Sequence, residues 1–191
     1  TRFFLLCQQA CERYGCRIHA YCLMTNHVHL ALQVCELPLA HFMQNVTFRY
    51  TQYINRKYHR CGHLLQGRYK ALLIDADSYL LELIRYIHLN PVRAGIVSHP
   101  EDYLWSSHHD YLSTVRPPWL TVDWALVQFS EESSQTMARF VDFVDQGRED
   151  GHRREFHKGS FEGRALGDDN FIRDVVLQAE AQEQKSISLD D

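Results

Sequence analysis

Apolar residues recur at three- and four-residue intervals over 2–14, where Phe3, Leu6, Cys7, Ala10, Cys11 and Tyr14 form one helical face that Gly15 ends. "CRIHAYCLM" and "HVHLALQV" then read as strands, joined by the turn-like Thr25-Asn26, so the pair predicts a hairpin. Pro38 and the later "CGH" bracket a long helix, about 39–58, with Phe42, Val46, Arg49, Tyr50, Tyr53 and Ile54 at helical spacing. "LLQGRYKALLI" predicts a further extended segment. Asp77 is placed to cap a helix over "SYLLELIRYIHLN", which Asn90-Pro91 closes. Residues 95–111 are short and irregular in pattern, and "RPP" at 116–118 is the best boundary signal. Beyond it "WALVQFSEE", "SSQTMARFVDFVDQG" and "DDNFIRDVVLQAEAQ" read as helices, with 182–191 as a frayed or disordered end.

The order helix, strand, strand, helix, strand, helix predicts an α+β fold with an antiparallel sheet, a ferredoxin-like βαββαβ plan that lacks its first strand. That strand pairs inside the sheet, so its absence before Thr1 predicts an exposed gap or edge and an N-terminally incomplete chain. Two parts are expected: 1–116 as the main domain, and 117–191 as a helical, acidic extension.

Charge sharpens that division. Residues 1–116 hold 12 Lys and Arg against 8 Asp and Glu, whereas 117–191 hold 8 against 16. The overall charge of −4 therefore hides a basic stretch over 49–93, interleaved with tyrosines, that could serve phosphate or could be a solvated face. The acidic extension, with Glu149, Asp150, Asp168 and Asp169, could mask that surface or merely keep the protein soluble. Six cysteines show no C-x-x-C pair and no zinc-ribbon spacing, which points to buried thiols in a reducing cytoplasm. No apolar run approaches the roughly 20 residues of a membrane span.

Two constellations carry chemistry. His27 and His29, two apart on a strand, present both imidazoles to one face, which is metal-ligand geometry. The alternative is one histidine bonded in the core and the other at an edge. On the helix, Leu80, Leu83, Ile84 and Ile87 form the apolar stripe. Tyr86 falls at its flank, beside the core rather than in it, and Asn90 lies one turn on along the same face. Alone, Tyr86 reads as an amphipathic aromatic and Asn90 as a C-cap before Pro91.

The string "YCLMTNHVHLAL … FRYTQYINRKYHRCGHLLQGRYKALLIDADSYLLELIRYIHLNPVRAGIV", with a later "WSS", closely resembles the REP-associated tyrosine transposases. These are IS200-like, HUH-type single-strand DNA transposases. The resemblance runs from about Phe3 to Leu112, and the later helices look like the extension of longer members. It implies that His27, His29 and Asn90 bind a divalent ion, Mg²⁺ or Mn²⁺, and that Tyr86 is the nucleophile. The activity it implies is nicking and rejoining of hairpin-bearing single-stranded DNA through a covalent 5′-phosphotyrosine.

Arg49, Arg56, Arg68 and Lys70 are the candidate phosphate contacts; Tyr50, Tyr53 and Tyr69 could stack on bases, although their spacing favours packing. His88 points elsewhere on the helix, so no general base is identified. Two alternatives stay open: a catalytically silent hairpin-binding relative, and a metal-dependent phosphodiesterase that uses water. The expected setting is cytoplasmic and nucleoid-associated, as a monomer or homodimer. The geometric expectation is that His27, His29 and Asn90 converge, with the Tyr86 hydroxyl nearby.

Overall fold

The computed structural model describes residues 1–129, 133–151, 153–159 and 161–187, the side chains of 133, 134 and 182–187 excepted. Helix α1 (Arg2–Tyr14) begins at Thr1, whose hydroxyl accepts from the Phe4 N–H at 3.4 Å, and ends at Gly15 with φ 66°. Strands β1 (Arg17–Leu23) and β2 (Val28–Gln33) form the expected hairpin, closed by Met24 N–H to His27 O at 2.9 Å. Cys22 stands opposite His29 and Leu23 opposite Val28.

Helix α2 (Leu39–Lys57) buries Phe42 and Val46, each apolar side chain of that size contributing about 1.5–3 kcal/mol by leaving water. It packs on α1 through an edge-on Phe3–Tyr50 contact at 5.2 Å. Phe4 of α1 lies against Tyr21 of β1, ring centroids 4.4 Å apart. Strand β1 is buried from Ile18 to Cys22, on both faces, which its nearly continuous apolar run allows.

The chain forms two compact units, Thr1–Lys70 with Ile84–Glu149, and Ala71–Leu83 with Asp150–Asp191. The extended segment predicted over 64–74 contracts to β3 (Leu73–Ile74), because Gly62 and Gly67, at φ 94° and 75°, turn the chain before a ladder forms. β3 pairs in parallel with β4 (Ala165–Leu166) in the second unit and not with the hairpin. The fold is α+β with antiparallel pairing, but the first unit's sheet has two strands among the described residues. There β2 pairs with β1 alone. The other edge of β1 is covered, since Leu23 N–H donates to Trp105 O at 2.8 Å, Ser107 N–H to Tyr21 O at 3.0 Å and Thr121 N–H to Ile18 O at 2.8 Å.

Helix α3 (Ala76–Arg93) departs from expectation at both ends. Its cap is Asp75, whose carboxylate accepts from the Asp77 N–H at 3.2 Å and the Ser78 hydroxyl at 2.6 Å. At the far end Pro91 lies inside the helix, where it removes one backbone donor without stopping the turn, and the chain leaves at Gly95.

The first unit is completed by α4 (His108–Leu112), α5 (Asp123–Leu126) and α6 (Ser133–Gln146). The second holds α7 (Glu155–Lys158) and α8 (Asp169–Ile187), and in it Arg153 pairs with Glu82 at 3.0 Å, with Asp150 and with Glu155. The end expected to fray over 182–191 is helical to Ile187, and its last four residues lie outside the described ones. All six cysteines are free thiols; Cys35 and Cys61 are exposed, and burial pushes Cys7, Cys11 and Cys22 up to about 12. No helix among the described residues is long and apolar enough to cross a membrane.

Behind α3 lies a buried imidazole pair. His88, fully buried, bonds Ser107 Oγ through Nε2 at 2.8 Å and faces His108 with 3.4 Å between their Nδ1 atoms. The Tyr111 and Phe140 rings close around them. Burial holds His88 well below its ordinary value, helped by His108, and brings His108 down to about 4. The folded state therefore favours the neutral rings, so their contribution is complete above about pH 6.5 and is lost as pH falls through about 4. Urea unfolding between pH 7 and 4 should show a loss on the order of 3 kcal/mol from His108. A His108→Phe variant should have a shallower slope across that window; an unchanged slope would assign the titration to other groups.

Candidate active site

The hairpin turn brings the two sequence-predicted histidines together. Their Nε2 atoms are 3.0 Å apart and their ring centroids 4.8 Å, with His27 exposed and His29 half-buried. Asn26 Oδ1 lies 2.6 Å from His27 Nδ1, so the proton belongs on Nδ1 and the lone pair on Nε2. Without an ion, one Nε2 must donate to the other. With an ion, both present lone pairs, and two nitrogens each about 2.1 Å from an octahedral ion are about 3.0 Å apart. The spacing fits two adjacent positions around one cation. No group of three or more His, Cys, Asp or Glu able to hold a metal occurs among the described residues, so a third protein ligand here is of another type.

Helix α3 supplies the rest. The Tyr86 ring meets His29 edge-on, centroids 5.8 Å apart and planes at 90°. Asn90 does not cap the helix end. Its Nδ2 donates to Tyr86 O at 2.8 Å, which binds the amide to the turn that carries the tyrosine. His27, His29 and Tyr86 are thus in mutual or serial contact, and Asn90 is tied to Tyr86.

Tyr86 departs from the sequence reading by being 4% exposed, within the core and not beside it. The cause is that α3 is packed on two sides in the first unit: toward His29 on one, and toward Ser107, His108 and Phe140 on the other. Burial raises the phenol above its ordinary value near 10, opposed by the Arg93 guanidinium and by a hydrogen bond from Asn90.

The basic residues divide. Arg56, Arg68 and Lys70 are exposed, but Arg49 is half-buried and donates to Gln9 Oε1 at 2.7 Å and to Asn45 Oδ1 at 3.4 Å. Tyr50 and Tyr53 are half-buried and stacked at 6.3 Å, as packing predicts, whereas Tyr69 is exposed.

Sequence reasoning did not single out Asn26 or Arg93. Arg93 lies with its guanidinium carbon 5.2 Å over the Tyr86 ring. It is seven residues from Tyr86, two turns along one face, a spacing that helical periodicity shows once the helix runs past Pro91.

Residues 1–90, which include His27, His29, Tyr86 and Asn90, match the family model described as transposase IS200 like. A curated protein of Haemophilus influenzae, named as a REP-associated tyrosine transposase, is 29% identical over 114 residues, covering 53% of this chain. The match spans 64% of that relative's own length. No solved structure matches the chain.

The direction of the Tyr86 titration can be tested without a substrate. Subtracting the 295 nm alkaline titration of Tyr86→Phe from that of the wild type should leave one phenol that ionises above pH 10. A difference curve centred below 10 would contradict the dominance of burial.

Proposed function

We propose that the protein nicks and rejoins single-stranded, hairpin-bearing DNA as a divalent-metal-dependent transposase, with Tyr86 as nucleophile. The observation that carries this reading is the contact of the Tyr86 ring with His29, whose Nε2 is 3.0 Å from that of His27. A Mg²⁺ or Mn²⁺ held by His27, His29 and the Asn90 amide oxygen would polarise the scissile phosphate. The Asn90 amide nitrogen is already used on Tyr86 O, which leaves the oxygen as the ligating atom.

The phenol of Tyr86 loses its proton and its oxygen attacks phosphorus; the P–O3′ bond breaks, and the 3′ oxygen leaves as a hydroxyl after taking up a proton. The phosphodiester's energy is kept in the 5′-phosphotyrosine, so attack by a 3′-hydroxyl reverses the step and joins strands. One chain supplies the histidine pair and the tyrosine together, so a monomer can assemble the site, and a homodimer would hold two. The catalytic part is assigned to 1–116. Its ferredoxin-like plan is supported by the order α1, β1, β2, α2 and by the outer edge of β2, where a further strand can pair.

Arg56, Arg68 and Lys70 are the proposed phosphate contacts. Arg49 is the weaker member, because Gln9 and Asn45 already occupy its guanidinium. Replacing each of the three exposed residues by alanine should lower hairpin affinity and reduce the slope of log affinity against log salt by about one. Arg49→Ala should instead lower the unfolding midpoint.

One observation favours a second reading. Tyr86 is 4% exposed, so DNA must open a path to the phenol, and an ion on the exposed His27 side could instead serve a water nucleophile. Incubation of the protein with end-labelled hairpin DNA and Mn²⁺, read on a denaturing gel, separates the two. The proposal expects a protein–DNA adduct that is lost in Tyr86→Phe, and His27→Ala that binds the hairpin but does not cut. Cleavage surviving Tyr86→Phe would establish water attack, and binding without any cleavage by the wild type would make the protein a silent relative.

A further inference from the structure

The proposed nucleophile rests on a support that comes from outside 1–116. Arg93 lies on the Tyr86 ring face, its guanidinium carbon 5.2 Å from the centroid, while Nη1 donates to Tyr86 O at 3.2 Å. Its other arm, Nη2, donates to Gly147 O at 3.2 Å, the first residue beyond α6. Arg85, two turns earlier on α3, reaches the same helix end: Nη1 donates to Phe143 O at 3.4 Å, and its guanidinium carbon lies 4.6 Å from the Phe143 ring. Two arginines of α3 therefore meet the carbonyl-rich end of one helix, where the peptide dipoles favour positive charge. Gly147 is part of the fit, since a Cβ there would come 2.8 Å from the Arg85 side chain.

We infer that Arg93 is a positioning residue for Tyr86, clamped by the end of α6, which holds the phenol ring in its edge-on orientation toward His29. The inference rests on the reading of Tyr86 as nucleophile. Its physical content is restriction of motion. With the His29 ring perpendicular to it, centroids 5.8 Å apart, and a guanidinium across its face, the ring cannot turn about Cβ–Cγ unless one of them moves. The guanidinium is planar and fixed at both ends by backbone carbonyls, so it yields less readily than a flexible ammonium. A nucleophile must reach phosphorus along a narrow approach, and a ring held in one orientation avoids that search. The segment after Pro118 thereby gains a role in the site: α6 anchors the arginine that anchors the tyrosine.

The test compares wild type, Arg93→Gln and Arg93→Lys in the full chain. In protein carrying ¹³C-labelled tyrosine and no DNA, NMR exchange measurements should give a Tyr86 ring-flip rate at least tenfold higher in Arg93→Gln, with Arg93→Lys between the two. With labelled hairpin DNA and Mn²⁺, adduct formation at saturating protein should slow at least tenfold in Arg93→Gln. Hairpin Kd should stay within twofold, and Arg93→Lys should recover part of the rate. An unchanged ring-flip rate would overturn the inference. So would weaker hairpin binding with an unchanged saturated rate, which would make Arg93 a DNA contact. If the wild type forms no adduct, the proposed function fails, and the ring-flip comparison alone decides the role of Arg93. If Arg93→Gln does not fold, Arg93→Lys supplies both readouts.

Discussion

Ser107 Oγ takes a hydrogen bond from the Tyr21 N–H at 2.9 Å and bonds His88 Nε2 at 2.8 Å, and through that one buried hydroxyl β1 and α3 are held at a fixed separation. Two residues along a helix are about 200° apart, so tying His88 to Ser107 turns Tyr86 the other way, toward His29. The histidine is set independently, because Cys22, one residue on from Tyr21, stands opposite His29 in the hairpin register. The hydroxyl thus orients Tyr86, and the hairpin register places His29 to meet it. Such a hub has to be complete, since a buried polar group left without a partner costs about 1–3 kcal/mol.

That arrangement leaves neither side of α3 to water: Tyr86 meets His29 on one, and His88 is enclosed on the other. A helix packed on one sheet leaves its far side to water, but here α4 and α6 close over His88 with Tyr111 and Phe140. Burial has opposite consequences for the two titratable faces of α3. On the His88 side it keeps the imidazoles neutral, which suits a structural pair. On the Tyr86 side it opposes the phenolate, and Arg93 and Asn90 counter it from the same helix. A metal at the histidines would act in the same direction as those two groups.

Much of this was legible in the sequence, and the failures have identifiable causes. Helix α1 and the hairpin follow from 3.6- and 2-residue periods closed by Gly15 and Thr25-Asn26, which are local signals. A strand holding both histidines predicts their pairing, but β2 starts at Val28, so His27 meets His29 from the hairpin turn. Tyr86 and Asn90 share one face as their spacing implies, but the burial of Tyr86 is not legible locally, because His29, whose ring meets it, is distant in sequence. The third strand differs for the same reason: Leu73 and Ile74 look like part of the hairpin's sheet locally, yet their partners are Ala165 and Leu166. Pro91 misled in a different way. A proline after Asn90 reads as a stop, but one missing donor did not end the helix, and the extra turn carries Arg93.

The central claim is that His27, His29, Asn90 and Tyr86 make one site. Titrating the DNA-free protein with substoichiometric Mn²⁺ and following paramagnetic broadening of assigned side-chain resonances tests it directly. The account predicts that both imidazoles and the Asn90 amide broaden first, followed by the Tyr86 ring. Broadening centred on the acidic stretch around Asp142 and Asp145, or on the two histidines with Asn90 and Tyr86 unaffected, would contradict it.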